Sequence, residues 1–138
     1  MKVVIVVLGL VIGLVSPPAL ADHRCEELHE AAWAGETGRL RSLLDEGEDV
    51  DCRDPEFGET ALMDAAYWAE PEAAGVLLRY GAAVNARDYD GNTALDHVEM
   101  GWFDYFFLED EEDPGFEARL DEVEELLVQA GGLYGEEF

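Results

Sequence analysis

Basic residues are scarce in this chain of 138 residues, which contains 33 acidic residues and only eight basic ones. The formal net charge is −25, and so acidic a surface repels nucleic acid and anionic lipid. We therefore expect no nucleic-acid partner and no binding to an anionic membrane surface. Two interpretations of the charge stay open: it keeps the protein in solution, and it speeds encounter with a basic partner protein.

Serine is also rare, and its scarcity restricts the possible chemistry. Ser16 lies in an apolar N-terminal segment, and Ser42 lies in a predicted helix beside leucines of the core, so no serine triad is available. Carboxylates are abundant, but in so acidic a chain close pairs arise by chance. We predict that the protein is not an enzyme, with no catalytic residue and no cofactor.

The chain has only two cysteines, Cys25 and Cys52, and they do not form a C-x-x-C motif. We predict a disulfide between them, which would close a loop of about 27 residues and contribute roughly 3 to 4 kcal/mol. A metal or redox role is the less favoured alternative. His23 and His29 flank Cys25, but a metal site there would need a reduced cysteine, and the acidic run 109–113 lacks the spaced aspartates of a calcium loop. We predict no metal site, with loose divalent association at 109–113 as the alternative.

Residues 1–21 have the pattern of a signal peptide. Lys2 precedes an apolar run over 3–15, and Ala19-Leu20-Ala21 forms a cleavage site. An uncleaved anchor is disfavoured, because the run is shorter than the roughly 20 residues that span a bilayer. We predict a periplasmic or secreted protein, a monomer with no membrane association after cleavage. Its single domain, residues 22–138, has seven arginines against 33 acidic residues, a net charge of −26.

A five-residue segment occurs twice in the same register. Gly58-Glu-Thr-Ala-Leu62 recurs 33 residues later as Gly91-Asn-Thr-Ala-Leu95, which indicates a repeat protein. In the first of these units, Thr60 suits the N-cap of a short helix and Pro71 suits the first turn of a second. Gly81 then suits the left-handed residue that ends it. The pattern predicts a unit of helix, turn, helix and loop.

These units resemble the ankyrin repeat, whose pattern is G-x-T-P-L-H-x-A-A, a second helix ending L-L-x-x-G-A, and a finger loop. The matching positions in the best-matched unit are Thr60, Leu62, Ala65, Ala66, Leu77, Leu78, Gly81, Ala82, Val84, Asn85 and Asp88. The resemblance implies an all-α solenoid of about three helix-turn-helix units with finger loops, at about 24–53, 54–87 and 88–134. Met63 and Asp96 replace the histidine of the pattern, so only His29 keeps it.

The third unit is longer than the others. The spacing of its leucine pairs indicates an insertion of about 16 residues at 101–116. The insertion is aromatic over Trp102–Leu108 and acidic over Glu109–Asp113. The favoured interpretation is that the aromatic half extends a helix and covers the open end of the stack, because a terminal repeat must hide an apolar face. The alternative is an arm that presents aromatics and carboxylates to a partner.

The resemblance also implies a binding surface at the finger tips and on the exposed side of the first helices. Ten residues map to these positions: Glu56, Phe57, Glu59, Tyr89, Asp90 and Asn92 in the fingers, and Trp33, Tyr67, Trp68 and Met100 on the helices. Half of them are aromatic, which is typical of interface anchors. Packing against a neighbouring finger is the alternative for each aromatic, and for Trp33 the two are evenly balanced.

We therefore predict a non-catalytic protein-protein interaction module of the cell envelope that binds a basic protein. Its most specific form is an immunity protein or inhibitor of a toxin or hydrolase. The alternative is an envelope scaffold or a stress-related accessory protein, for example one that supports a peroxide-removing enzyme.

Overall fold

A computed structural model describes residues 23–107 and 113–137 of the chain, so the predicted signal peptide at 1–21 and the segment 108–112 lie outside the described residues. Helix α1 occupies residues 23–33. The later elements are α2 Thr37–Asp45, α3 Ala61–Tyr67, α4 Pro71–Arg79, α5 Ala94–Phe107, α6 Phe116–Gln129 and the 3₁₀ helix η1 Gly135–Glu137. The described part has no β-strand, which confirms the all-α prediction. It also has no helix that is long and apolar enough to cross a membrane.

The helices form three stacked pairs: α1 with α2, α3 with α4, and α5 with α6. Helix α3 is central and packs against α4, α5 and α6. The sequence signals of the middle pair act as expected, because Thr60 is the N-cap of α3 and Pro71 begins α4. Each outer helix is followed by an equivalent left-handed glycine, Gly47, Gly81 and Gly131, with φ of 96°, 87° and 88°. Glycine adopts this conformation without steric cost.

Alanines on the inner helices and leucines on the outer helices form the core. Ala31 and Ala32 in α1 and Ala65 and Ala66 in α3 are fully buried, and their small side chains let the helices approach closely. The outer helices contribute larger groups, including Leu40, Leu43, Leu44, Val76, Leu77, Leu120, Val123 and Leu127. Burial of this apolar surface is the main force that holds the stack together.

Each finger loop is held by an aspartate at its base. The Asp54 carboxylate accepts hydrogen bonds from the backbone N–H groups of Glu56, Phe57 and Glu59 at 2.8 to 2.9 Å. In the next finger the Asp88 carboxylate accepts from the backbone of Asp90 and Asn92 and from the Asn92 amide. The fingers are therefore pre-ordered, and their tips project from a hydrogen-bonded base.

Cys25 in α1 and Cys52 in the first finger form a disulfide, with 5.9 Å between their Cα atoms. His29, one turn after Cys25, contacts the Cys52 carbonyl oxygen through Nε2 at 3.1 Å. The disulfide and this hydrogen bond tie the first helix to the first finger.

The insertion extends helix α5 to Phe107, as the favoured interpretation expected. Trp102 is half-buried against the core. Tyr105 stacks on Phe116 at 4.6 Å, and its hydroxyl donates to the Asp113 carbonyl oxygen. Arg119 in α6 donates to the Asp113 carboxylate at 2.7 Å, so the described ends of the insertion are fastened to each other.

Three phenylalanines of the same helix are not covered. Phe103, Phe106 and Phe107 are all exposed, and the rings of Phe103 and Phe107 lie 4.5 Å apart. The aromatic half of the insertion therefore combines the two interpretations: part of it packs on the stack, and part faces solvent. The acidic half lies largely outside the described residues.

Candidate partner-binding face

Three of the predicted binding aromatics come together at the ends of the first two inner helices. The rings of Trp33 and Trp68 lie 6.0 Å apart, and those of Tyr67 and Trp68 lie 5.3 Å apart in an edge-to-face arrangement. Trp33 is 48% exposed and Trp68 is 50% exposed. We call Trp33, Tyr67 and Trp68 the aromatic strip. Trp33 therefore packs on Trp68 at the end of the next inner helix rather than on a finger, and about half of its side chain stays exposed.

A cavity of about 200 Å³ lies beside the aromatic strip, and it joins residues from a finger, α3 and α5. Its lining consists of Glu59, Asp64, Tyr67, Trp68, His97 and Met100. Four of these six residues were predicted as binding residues. Asp64 and His97 were missed, because the family pattern assigns neither position to partner contact.

The insertion reaches the aromatic strip through Tyr67. The Tyr67 hydroxyl donates a hydrogen bond to the carboxylate of Asp104 in the extended part of α5. Burial, together with this hydrogen bond and the Asp104 charge, raises the pKa of Tyr67 to about 12, so the phenol remains a donor at neutral pH. Asp104 lies one helical turn after Met100, on the same side of α5. That spacing was the available sequence signal for its proximity to the cavity.

The two finger tips contact each other and remain exposed. The Tyr89 backbone N–H donates to the Phe57 carbonyl oxygen at 2.9 Å. The Tyr89 ring lies over Gly58, where any side chain would collide with it. Even so, Phe57 is 54% exposed and Tyr89 is 67% exposed. The neighbouring finger positions Tyr89 without covering it.

The polar finger residues divide into two groups. Glu56 and Asp90 are exposed at the tips. Asn92 is half-buried, and its amide is bonded to Asp88 at 3.2 Å, so this side chain holds its own finger. Glu59 turns toward the cavity, with a side chain that is 29% exposed.

Glu59 is surrounded by negative charge. The nearest basic atom is Nε2 of His97, 3.9 Å from its carboxylate, and no hydrogen-bond donor reaches that carboxylate from the described part of the chain. Burial raises the pKa of Glu59, and although His97 acts in the opposite direction, the charges of Asp64, Asp54 and Asp88 raise it further. The ionised carboxylate is thus held in an unfavourable environment.

His97 is buried, and the repeat pattern predicted no role for it, because it lies one residue after the position where the pattern has a histidine. Its Nε2 lies 3.0 Å from the Asp88 carboxylate. Burial opposes ionisation of Asp88, but the hydrogen bonds from Asn92, His97 and Asp90 outweigh it and lower the pKa of this carboxyl. His97 therefore links α5 to the base of the second finger.

Two groups of side chains in the described region have ligand atoms close enough together to hold a metal ion. In the first, Cys25, His29 and Cys52, both sulfurs are bonded to each other and offer no thiolate. In the second, Glu59, Asp88 and His97, the ligand atoms lie within 4.8 Å of one another. The oxygens of Asp88 already accept four hydrogen bonds, one of them from His97. This group therefore has a structural role, which is to hold the base of the second finger.

His29, the histidine that matches the repeat pattern, contacts both the first finger and the next repeat. Its Nδ1 lies 2.5 Å from the Asp64 carboxylate, and its Nε2 contacts the Cys52 carbonyl oxygen. Burial disfavours the charged imidazolium, but Asp64, the Cys52 carbonyl and the more distant Asp54 outweigh it and raise the pKa of His29. The interaction links two adjacent repeats through a charged pair.

We expect stability to fall as the pH rises through the elevated pKa of His29. The stabilisation is fully present below the unfolded-state pKa of about 6.5 and is lost above the folded-state value, because deprotonation removes the imidazolium that Asp64 binds. Urea unfolding at a series of pH values from 6 upward would measure this decline. In His29→Gln and Asp64→Asn the decline should be smaller than in the wild type. An equal decline in all three proteins would show that this pair does not cause it.

A stack of three helical pairs with ordered fingers and an exposed aromatic face defines the chain as a helical repeat protein. The model of the family described as ankyrin repeats, in three copies, matches residues 28–99, and the chain belongs to this family. Proteins built from these repeats are protein-protein interaction modules, and the fold is typically non-catalytic.

Two relatives show the extent of the likeness. The chain is 39% identical over 70 residues to the ankyrin repeat domain-containing protein SAT10 of Stachybotrys chartarum, a match that covers 51% of this chain and 4% of that protein. The crystal structure of the human ASB11 ankyrin repeat domain superposes with a TM-score of 0.61 at 23% identity, covering 77% of this chain and 40% of that one. The structural likeness therefore concerns the fold, and the chain spans only a fraction of either relative.

Proposed function

We propose that this chain is an exported, non-catalytic module that captures a basic protein with the aromatic strip and the adjoining acidic cavity. The observation that carries the proposal is the exposure of Trp33 and Trp68, which leaves about half of each side chain in solvent although the two rings are in contact. Large aromatics ringed by charge are the side chains that most often anchor protein interfaces.

The charge of the described surface supports a basic partner, because most of its few arginines are already bound to carboxylates or backbone carbonyls. Arg39 pairs with Glu30 and Glu36, and Arg119 pairs with Asp113. Arg24 pairs with Glu46, and Arg53 donates to backbone carbonyls. Most carboxylates are left without a countercharge, and the resulting field would raise the rate of association with a cationic protein.

The more specific form of the proposal is an immunity protein or inhibitor that blocks a cationic toxin or hydrolase outside the cytoplasm. A small stack with pre-ordered fingers loses little conformational entropy on binding, which favours tight inhibition. The disulfide supports export, because such bonds persist in oxidising compartments. The predicted signal peptide at 1–21 points to the same compartments.

Substitution Trp68→Ala should weaken partner binding by at least about tenfold, since truncating a central aromatic anchor commonly costs 2 kcal/mol or more. The experiment is affinity capture from an envelope extract with the tagged mature chain, followed by titration of the enriched protein. Tyr80→Ala is the control, because Tyr80 is an exposed aromatic at the end of outer helix α4. Equal binding by Trp68→Ala and the wild type, or enrichment of no basic protein, would contradict the proposal. Enrichment of a peroxide-removing enzyme would favour the accessory role instead.

A further inference from the structure

The cavity beside the aromatic strip combines features that suit one type of side chain. Trp68 and Tyr67 form aromatic walls, Met100 adds an apolar surface, and Glu59 and Asp64 contribute carboxylates. The volume of about 200 Å³ suits a single long side chain better than a folded element of a partner. A cation that enters beside Trp68 would meet both an aromatic face and a carboxylate.

The two carboxylates of the cavity differ in their availability. Asp64 is bound to His29 at 2.5 Å, so its charge is largely balanced within the protein. Glu59 has no comparable partner, since His97 is 3.9 Å away and is itself bound to Asp88 at 3.0 Å. The Glu59 carboxylate is therefore the group whose negative charge a ligand cation would balance.

Arginine fits this cavity better than lysine does. The guanidinium is planar, stacks on aromatic rings and donates several hydrogen bonds in a fixed fork, and it is less strongly hydrated than an ammonium group. Stacking on tryptophan adds a cation–π attraction, and hydrogen bonds to a carboxylate are strengthened by charge. Both interactions are available within the cavity lining.

We propose that the cavity lined by Glu59, Tyr67, Trp68 and Met100 binds an arginine side chain of the partner, with the guanidinium on the Trp68 ring and donating to Glu59. The inference rests on the proposed function, and it defines which feature of the basic partner is recognised. It also explains why a carboxylate lies at position 59, where its charge is unfavourable for the stability of the free protein. Glu59 gains a stabilising contact when the partner binds.

The test uses blocked tripeptides, acetyl-Gly-Xaa-Gly-amide, titrated into the isotopically labelled mature chain and followed by NMR. With arginine as Xaa, shifts should concentrate at Glu59, Asp64, Tyr67 and the Trp68 indole. Lysine should bind several-fold more weakly, and citrulline, which has arginine's shape without its charge, should produce no saturating shifts. The absence of any saturating shift at concentrations up to about 20 mM, well beyond the millimolar range of weak binding, would overturn the proposal.

A pair of variants separates specific binding from general attraction. Glu59→Gln should weaken binding of the arginine peptide at least fivefold. Glu56→Gln removes the same charge from an exposed position on the same finger, and its affinity for the peptide should stay within twofold of the wild-type affinity. Glu59→Gln should also keep or raise the melting temperature, because its carboxylate makes no hydrogen bond within the described part of the chain. Equal weakening in both variants would show that only diffuse charge acts.

Three further outcomes are distinguishable. If zinc chloride at stoichiometric concentration shifts Glu59, Asp88 and His97 while the arginine peptide produces no saturating shift, the cavity is a metal site and the proposal is overturned. If the arginine peptide does not bind but capture of the partner still depends on Trp68, the cavity is not an arginine site, while the proposed function stands. If the peptide binds as expected and no basic protein is captured, the proposed function fails instead.

Discussion

Loss of the disulfide between Cys25 and Cys52 is expected to destabilise the chain by about 3 to 4 kcal/mol. The two cysteines are 27 positions apart, and opening a loop of this length restores considerable conformational freedom to the unfolded chain. A small domain has a total stability of about 5 to 15 kcal/mol, so the change is a large fraction of the total. The effect should be strongest in α1, because the disulfide joins this terminal helix to the first finger.

Urea unfolding with and without a reductant measures this loss, and hydrogen exchange shows where it falls. The reduced protein should unfold at a lower urea concentration, and the amides of α1 should exchange faster than those of α3. The variant with both Cys25→Ser and Cys52→Ser should be as unstable as the reduced protein, and the reductant should not affect it further. Identical unfolding midpoints for the oxidised and reduced wild type would contradict the entropic argument.

The repeat architecture was predictable because each unit carries its own local signals. Thr60 at the start of α3, Pro71 at the start of α4 and Gly81 after its end act through the backbone conformations of single residues. The same signals set the register of the alanines and leucines that face the core. Local rules therefore place the helices and assign their buried sides.

The cavity was not predictable in the same way, because it depends on side chains from different units. Glu59 belongs to a finger, Asp64 to α3 and His97 to α5, and nothing in the spacing of these residues shows that they converge. The hydrogen bond from Tyr67 to Asp104 joins residues 37 positions apart and depends on the path of the insertion, for which the repeat pattern has no equivalent. The pattern predicted which residues are exposed better than it predicted their contacts.

Gly101→Ala is expected to destabilise the protein by about 2 kcal/mol, the net of a steric cost of up to roughly 3 kcal/mol and a gain in helix propensity below about 1 kcal/mol. Gly101 is buried in α5, where a Cβ atom would overlap the carbonyl oxygen of Tyr67 at the end of α3. Because the obstacle is backbone, α5 must move away from α3. That movement would also disturb the hydrogen bond between Tyr67 and Asp104 and withdraw Met100 from the cavity.

Gly75→Ala provides a matched control, for which we expect a change in stability of the opposite sign. Gly75 also lies inside a helix, α4, but apart from the backbone of that helix and the two neighbouring residues, no atom of the described residues lies within 4 Å of the position that its Cβ would occupy. This substitution should stabilise the protein by about 0.5 to 1 kcal/mol, because alanine is the better helix former. Urea unfolding of the two variants tests the difference, and a stabilised Gly101→Ala would refute the close approach of α5 to α3. Since both substitutions add one methyl group to a helical glycine, a difference in sign can come only from what surrounds each site. At Gly101 that surrounding is the backbone of Tyr67 in the aromatic strip, so a loss of stability there would show that the helix of the insertion packs against the proposed partner-binding face.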